Sequence, residues 1–145
     1  MNTKSLLLSA ALAILAQALT GAAGANIDPP DKARIAIVGD ADRLNIGQAG
    51  YCGKRTEIDQ PSDMSFLVPG DRKTWFYIRS KFRTPIAIHT CEGDFSFTPV
   101  AGKLNIIRFT FPGETCVLEL FQANPGGEPV RMSAEREVPL VCFSQ

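Results

Sequence analysis

The fold is decided by a stretch whose side chains alternate with a period of two, KTWFYIRSK at Lys73–Lys81. In an extended strand, successive side chains point to opposite faces of the sheet. Thr74, Phe76 and Ile78 then share one face, which is apolar enough to lie against a core. The other face carries Lys73, Trp75, Tyr77, Arg79 and Lys81. The stretch therefore predicts a half-buried β-strand.

Similar runs lie on both sides of this strand. Ala33–Val38 alternates and stops at Gly39-Asp40, and Met64–Val68 stops at the turn sequence Pro69-Gly70-Asp71. Further strand-like runs are Pro85–Cys91, Asp94–Thr98, Lys103–Phe111 and Thr115–Gln122, separated by turn sequences at Glu92-Gly93, Ala101-Gly102 and Pro112-Gly113. No segment shows a helical period. Short strands separated by turns predict an all-β fold, an antiparallel β-sandwich of about six to eight strands.

Two regions have weaker patterns. Ala41–Asp63 is rich in glycine, and we expect one irregular strand there, over Tyr51–Ile58. Glu128–Glu137 is polar and compatible with one turn of helix, whereas Val138–Phe143 is apolar again. An apolar end that contains a cysteine favours a C-terminal segment docked on the body over a frayed tail.

The N-terminus has the features of a cleavable export signal. A short lead containing Lys4 precedes the apolar run Ser5–Leu19, and Ala23-Gly24-Ala25 fits a leader-peptidase site. Residues 1–25 are therefore predicted to be a signal peptide, and residues 26–145 a single domain. The apolar run is short for a membrane span, so we expect no stable membrane anchor. The predicted location is periplasmic or extracellular.

The charge balance narrows the choice of partner. The chain has 15 basic and 15 acidic residues, and removal of residues 1–25 leaves 14 against 15. Nucleic-acid binding begins with the neutralisation of phosphates by basic residues. A near-neutral chain without a basic block argues against a nucleic-acid partner. Proteins, glycans and small ligands stay open.

All four cysteines, Cys52, Cys91, Cys116 and Cys142, lie in the predicted mature chain. An oxidising compartment lets such thiols pair, and four cysteines allow three connectivities. We favour Cys52–Cys91 and Cys116–Cys142, because the second bond would fasten the C-terminal segment to the strand beside it. The cysteines are too widely spaced for the close pairs of a zinc site or a redox dithiol. The prediction is two structural disulfides, with no metal and no cofactor.

Catalytic candidates are few. His89 is the only histidine. A serine mechanism would use it with residues such as Ser96 and Asp94, but no nucleophile elbow surrounds any serine. Carboxylates for glycoside hydrolysis would come from Glu92, Asp94, Glu114 or Glu119, which sit in no recognisable frame. We therefore predict no catalytic residues and no enzymatic activity.

The candidate ligand-binding residues are Lys73, Trp75, Tyr77, Arg79 and Lys81. Exposed Trp and Tyr supply flat contact area with polar tips, suited to a sugar ring or a protein hot spot. Three cations beside them suit an anionic partner. The alternative is that Trp75 and Tyr77 pack beneath a neighbouring loop while the cations are simply solvated.

Part of the chain resembles a group of small exported bacterial β-sandwich domains of transthyretin-like or PEGA-like type. The matching stretches are Ala33–Val38, the turn Leu67-Val68-Pro69-Gly70, Phe97–Lys103 leading into Leu104–Arg108, and Leu118-Glu119-Leu120. The resemblance covers Ala33–Phe121. It implies an accessory or binding module rather than an enzyme.

These observations favour a non-enzymatic exported module that binds a protein or a cell-envelope glycan through the Trp75/Tyr77 face. The alternative hypothesis is a secreted inhibitor or immunity protein that inserts a loop into a hydrolase. Rigid scaffolds commonly present such functions on loops. In that case Gly47–Lys54 or Glu92–Asp94 would form the contact.

Overall fold

The structure is a computed structural model that describes residues 28–112, 115–138 and 141–142. These residues form ten strands and no helix. The described part of the chain therefore has no helix that is long and apolar enough to cross a membrane. The strands are β1 (Lys32–Gly39), β2 (Arg43–Gly47), β3 (Thr56–Asp59), β4 (Ser65–Pro69), β5 (Thr74–Arg83), β6 (Ile88–Phe97), β7 (Leu104–Thr110), β8 (Val117–Ala123), β9 (Val130–Met132) and β10 (Glu135–Arg136). The predicted signal peptide, residues 1–25, lies outside the described residues.

The strands form two five-stranded sheets. One has the order β4-β1-β7-β8-β9 and the other β10-β6-β5-β2-β3. We call them the β1 sheet and the β5 sheet. Every strand pair is antiparallel except β1 with β7, which is parallel. The predicted all-β fold with antiparallel sheets is confirmed.

One apolar core lies between the two sheets. The β1 sheet contributes residues such as Ile35 and Ile107, and the β5 sheet contributes Phe76, all without solvent exposure. The ring of Phe76 stacks on Phe95 and Phe97, with centroid distances of 5.1 and 4.9 Å. The alternation that defined the sequence pattern thus places one face of each sheet in a shared interior.

The strand number differs from the expected six to eight because several strands are short or polar. Ala41–Asp63 contains two strands, β2 and β3, instead of one over Tyr51–Ile58. Glu128–Glu137 contains β9 and β10 instead of a helical turn. These strands have few or no buried apolar residues. They are held instead by backbone pairing with a neighbouring strand. Their pattern in the sequence is correspondingly faint.

The expected turn at Glu92-Gly93 is wrong. Both residues lie inside β6, where Gly93 is opposite Ile78 of β5. The two strands pair continuously over ten residues each, and the turn of this hairpin lies at residues 84–87. There the Thr84 amide donates to the Ala87 carbonyl at 2.9 Å. Backbone hydrogen bonding along the whole hairpin outweighs the preference of a single glycine for a turn.

The favoured disulfide pairing is also wrong. The bonds are Cys52–Cys142 and Cys91–Cys116, with Cα–Cα distances of 5.5 and 5.8 Å. Cys91 lies on the core side of β6, and Cys116 directly precedes β8 of the opposite sheet, so their bond joins the two sheets. Cys142 is fastened to the loop after β2 instead of to Cys116. Two disulfides indicate a non-reducing environment.

Candidate functional site

Strand β5 places the predicted ligand-binding residues on one side of the β5 sheet. Thr74, Phe76, Ile78 and Ser80 are buried on the core side. Trp75, Tyr77 and Arg79 are half-buried on the other side, with exposed Lys73 and Lys81 at the two ends. We call this side the outer face. The sequence prediction of a shared face for these residues is confirmed, whereas their role in binding stays a prediction.

Carboxylates neutralise two of the three cations predicted to bind a ligand, Lys73 and Arg79. Lys73 Nζ lies 2.6 Å from Glu135 and 3.5 Å from Glu137, and 5.5 Å from the centre of the Trp75 ring. The hydrogen bond with Glu135 raises the pKa of Lys73 and lowers the pKa of Glu135. Arg79 makes two hydrogen bonds to Asp42, at 2.9 and 3.2 Å. The face is therefore a mosaic of both signs rather than a cationic patch for an anionic partner.

Tyr77 connects the strand face with the acidic residues of β6. Its hydroxyl donates to Glu92 Oε2 at 2.7 Å. Burial, followed by the hydrogen bond and the negative charge of Glu92, raises the pKa of Tyr77 to about 12. The hydroxyl thus keeps its proton at any physiological pH. The binding-module hypothesis placed the contact on the strand face, and the inhibitor hypothesis placed it at Glu92–Asp94. In the folded chain these two candidate sites adjoin.

We expect Glu92→Gln to lower the pKa of Tyr77, because the substitution removes the carboxylate charge that disfavours the phenolate. Ultraviolet titration of the phenolate in a Tyr51→Phe background measures this directly, since the chain has two tyrosines. The raised pKa in the folded state also means that stability from Tyr77 is present below pH 10. It is lost as pH rises from 10 to about 12. An unchanged Tyr77 titration in Glu92→Gln would show that Glu92 does not interact with the hydroxyl.

The loop of residues 48–55 covers part of the outer face. Arg55, just before β3, makes an ion pair of 2.9 Å with Asp94 of β6, and both side chains are only 15% exposed. In the order of the sheet, β2 and β5 lie between β3 and β6. Arg55 also donates to the Tyr51 carbonyl at 2.8 Å, and Cys52 is bonded to Cys142. Trp75 and Tyr77 are half-buried and keep exposed surface. Whether the loop covers them, as the alternative interpretation has it, stays a prediction.

This arrangement changes the hypothesis of an inserting loop. Gly47–Lys54 is joined through Cys52 to Cys142 near the C-terminus, and the Lys54 carbonyl lies so close to Gly47 that a Cβ there would come within 2.6 Å. Glu92–Asp94 belongs to a strand instead of a loop. The strand position of Glu92–Asp94 differs from the loop expected there, whereas the inhibitor hypothesis itself stays a prediction.

A cleft of about 520 Å³ opens beside Tyr77 at the edge of the β5 sheet. It exists because β10 pairs with only two residues of β6, Phe95 and Ser96, and leaves the rest of that edge uncovered. The apolar part of the lining is Ile78, Phe109, Leu118 and Cys116, and the polar part is Tyr77, Glu92, Asp94, Arg136 and Glu137. A ligand with an apolar face and several hydroxyl groups would match this lining.

Gly93 keeps the cleft open. It lies on the core side opposite Ile78, and a Cβ built on it would meet no atom within 4 Å. Sequence analysis missed the cleft because Gly93 has the appearance of a turn glycine. Only the pairing register of β5 with β6 shows that the missing side chain leaves a gap.

The residues of the conceivable serine mechanism are not brought together. His89 and Ser96 lie on the same strand seven residues apart, which is about 23 Å at the rise of an extended chain. Ser96 is buried and donates to Glu137, whereas His89 lies against Phe82 with a ring distance of 6.1 Å. Among the residues that the structure describes, no group of three or more His, Cys, Asp or Glu side chains is arranged to hold a metal ion.

The outer face and the cleft offer aromatic surface and hydrogen-bonding groups. Comparisons of this chain with protein-family models, with curated proteins and with solved structures found no match.

Proposed function

We propose that this protein is a small exported binding module, and not an enzyme, that binds a cell-envelope glycan on the outer face and in the adjoining cleft. The observation that carries the proposal is that Tyr77, which shares the outer face with Trp75, also lines a cleft that contains apolar side chains and carboxylates. Aromatic rings stack on the apolar face of a sugar, and carboxylates accept hydrogen bonds from its hydroxyl groups.

The ion pairs favour a neutral ligand over an anionic one. Lys73 and Arg79 are already bonded to carboxylates, so an anionic ligand would have to displace Glu135 or Asp42. A hydroxyl-rich ligand needs no such displacement. A protein partner, the other class that the sequence left open, would use the same aromatic side chains as a hot spot.

The predicted signal peptide and the two disulfides support a location outside the cytoplasm. The proposed compartment is the periplasm or the cell exterior. A binding module located there has access to envelope polymers.

The proposal is tested by capture from envelope extract on the immobilised protein, followed by analysis of retained glycans and proteins. Trp75→Ala/Tyr77→Ala removes the aromatic contacts. Gly93→Leu fills the cleft from a position that has room for the added atoms. Val130→Ser is the control, since Val130 is 66% exposed on β9 of the other sheet. We expect glycan retention by the wild type and the control, and a loss of about tenfold or more in both site variants.

Equal glycan recovery on all folded variants would refute the proposed site. Retention of a hydrolase that is inhibited equally by the wild type and by both site variants would instead support the inhibitor hypothesis. Circular dichroism and intact disulfides in each variant separate loss of binding from loss of folding.

A further inference from the structure

The hairpin of β5 and β6 extends beyond both of its neighbours in the sheet. β2 pairs with β5 only from Trp75 to Arg79, and β10 pairs with β6 only at Phe95 and Ser96. The distal part, Lys81–Thr90, pairs only with itself among the described strands. We call this part the hairpin tip.

The hairpin tip presents apolar side chains to solvent. Ile86 is 97% exposed, Ile88 59% and Phe82 54%. Ile86 lies in the turn itself, at the far end of the hairpin. Single exposed apolar residues are ordinary, but three large ones gathered on one projecting element mark an interaction site.

The tip is held in shape before any contact is made. The amide of Thr84 donates to the Ala87 carbonyl at 2.9 Å, and the amide of Ala87 donates to Thr84 Oγ1 at 3.0 Å. At the base, the bond between Cys91 and Cys116 fastens the hairpin to the opposite sheet. A preformed tip loses little conformational entropy when it binds.

The charge of the tip has one sign. Lys81 and Arg83 are exposed and form no ion pair with any residue that the structure describes. The segment Lys81–Thr90 contains no Asp or Glu. Lys73 and Arg79, farther down the same strand, are both paired with carboxylates. The free positive charge of the β5–β6 hairpin is thus concentrated beside its exposed apolar residues.

We propose that the hairpin tip docks on an anionic phospholipid bilayer. Ile86 and Ile88 enter the interface between headgroups and acyl chains, and Lys81, Phe82 and Arg83 lie at the level of the lipid phosphates. The backbone of the tip is paired within the hairpin, so this shallow insertion leaves few unsatisfied polar groups. The contact is peripheral and reversible.

A bilayer fits the tip better than a protein does. The exposed apolar residues lie within one short two-stranded hairpin segment, whereas a stable protein interface covers about 800 Å² on each partner. A fluid bilayer needs no complementary pocket. The unpaired cations match the negative surface potential of an anionic membrane.

The test is sedimentation of the protein with vesicles of phosphatidylcholine alone or mixed with phosphatidylglycerol. The protein is purified after export with its disulfides intact, and its mass establishes which N-terminus it carries. We expect binding to the mixed vesicles that weakens with added salt, and little binding to phosphatidylcholine alone. Ile86→Asp and Lys81→Glu/Arg83→Glu are each expected to lower the partition coefficient about tenfold, and Val130→Ser is expected to leave it unchanged.

Equal vesicle binding by the wild type and Ile86→Asp, or none by the wild type, would overturn the proposal. So would oligomerisation that Ile86→Asp abolishes without any vesicle binding, since the tip would then contact a second copy. Tip-dependent capture of a protein in the absence of vesicle binding would likewise overturn it. Trp75→Ala/Tyr77→Ala is expected to bind vesicles normally, which separates this proposal from the glycan site.

Discussion

Phe76→Ala is expected to lower the free energy of unfolding by about 3–5 kcal/mol. Phe76 has no solvent exposure, and its ring stacks on both Phe95 and Phe97 of the adjacent strand. Truncation removes these contacts and leaves a cavity that the paired strands β5 and β6 cannot collapse to fill. Denaturant titration measured by far-ultraviolet circular dichroism gives the value.

Phe82→Ala is the matched control for this prediction. It makes the same chemical change on the same strand, but Phe82 is 54% exposed on the hairpin tip. The expected loss is below about 1 kcal/mol. Losses of similar size at the two positions would contradict the assignment of Phe76 to the core side of β5.

Loss of the Cys52–Cys142 bond is expected to lower the free energy of unfolding by an amount comparable to the effect of Phe76→Ala. This bond closes a loop of 90 residues, and the Cys91–Cys116 bond closes one of 25. The chain-entropy model gives upper values of about 4.6 and 3.5 kcal/mol for the two bonds. Cys52→Ala/Cys142→Ala should therefore be at least as destabilised as Cys91→Ala/Cys116→Ala.

Thiol counting in denaturant tests the connectivity itself. Each of the two matched double variants is expected to show no reactive thiol, since the other disulfide is intact. The crossed variant Cys52→Ala/Cys91→Ala leaves one partner of each bond and is expected to show two thiols per molecule. The reverse outcome would mean that the pairing favoured from the sequence is the true one.

The sequence predicted those features that depend on local pattern. KTWFYIRSK at Lys73–Lys81 gave the correct face for each of its residues, because alternation along a strand is a property of the chain alone. The turn at Pro69-Gly70-Asp71 also lies between two strands, β4 and β5. In both places the local preference agrees with the tertiary structure.

The features that it missed depend on the register between distant segments. Gly93 has the composition of a turn, yet it lies in β6 because the whole hairpin pairs there. Cys52 pairs with Cys142 at a sequence separation of 90, which no local pattern indicates. The ion pair between Lys73 and Glu135 spans 62 residues. Residue types alone therefore made the outer face appear cationic, whereas the folded chain balances most of that charge.

The most direct test of the proposed glycan site is the fluorescence of Trp75, the single tryptophan of the chain, during titration with the glycan fraction of envelope extract. Because Trp75 lies half-buried on the proposed binding face, a bound sugar should change its emission and protect it from quenching by acrylamide. The same changes should occur in Val130→Ser and be lost in Gly93→Leu. Glycan binding that leaves the emission and the quenching of Trp75 unchanged would place the glycan site elsewhere and contradict the proposed binding face.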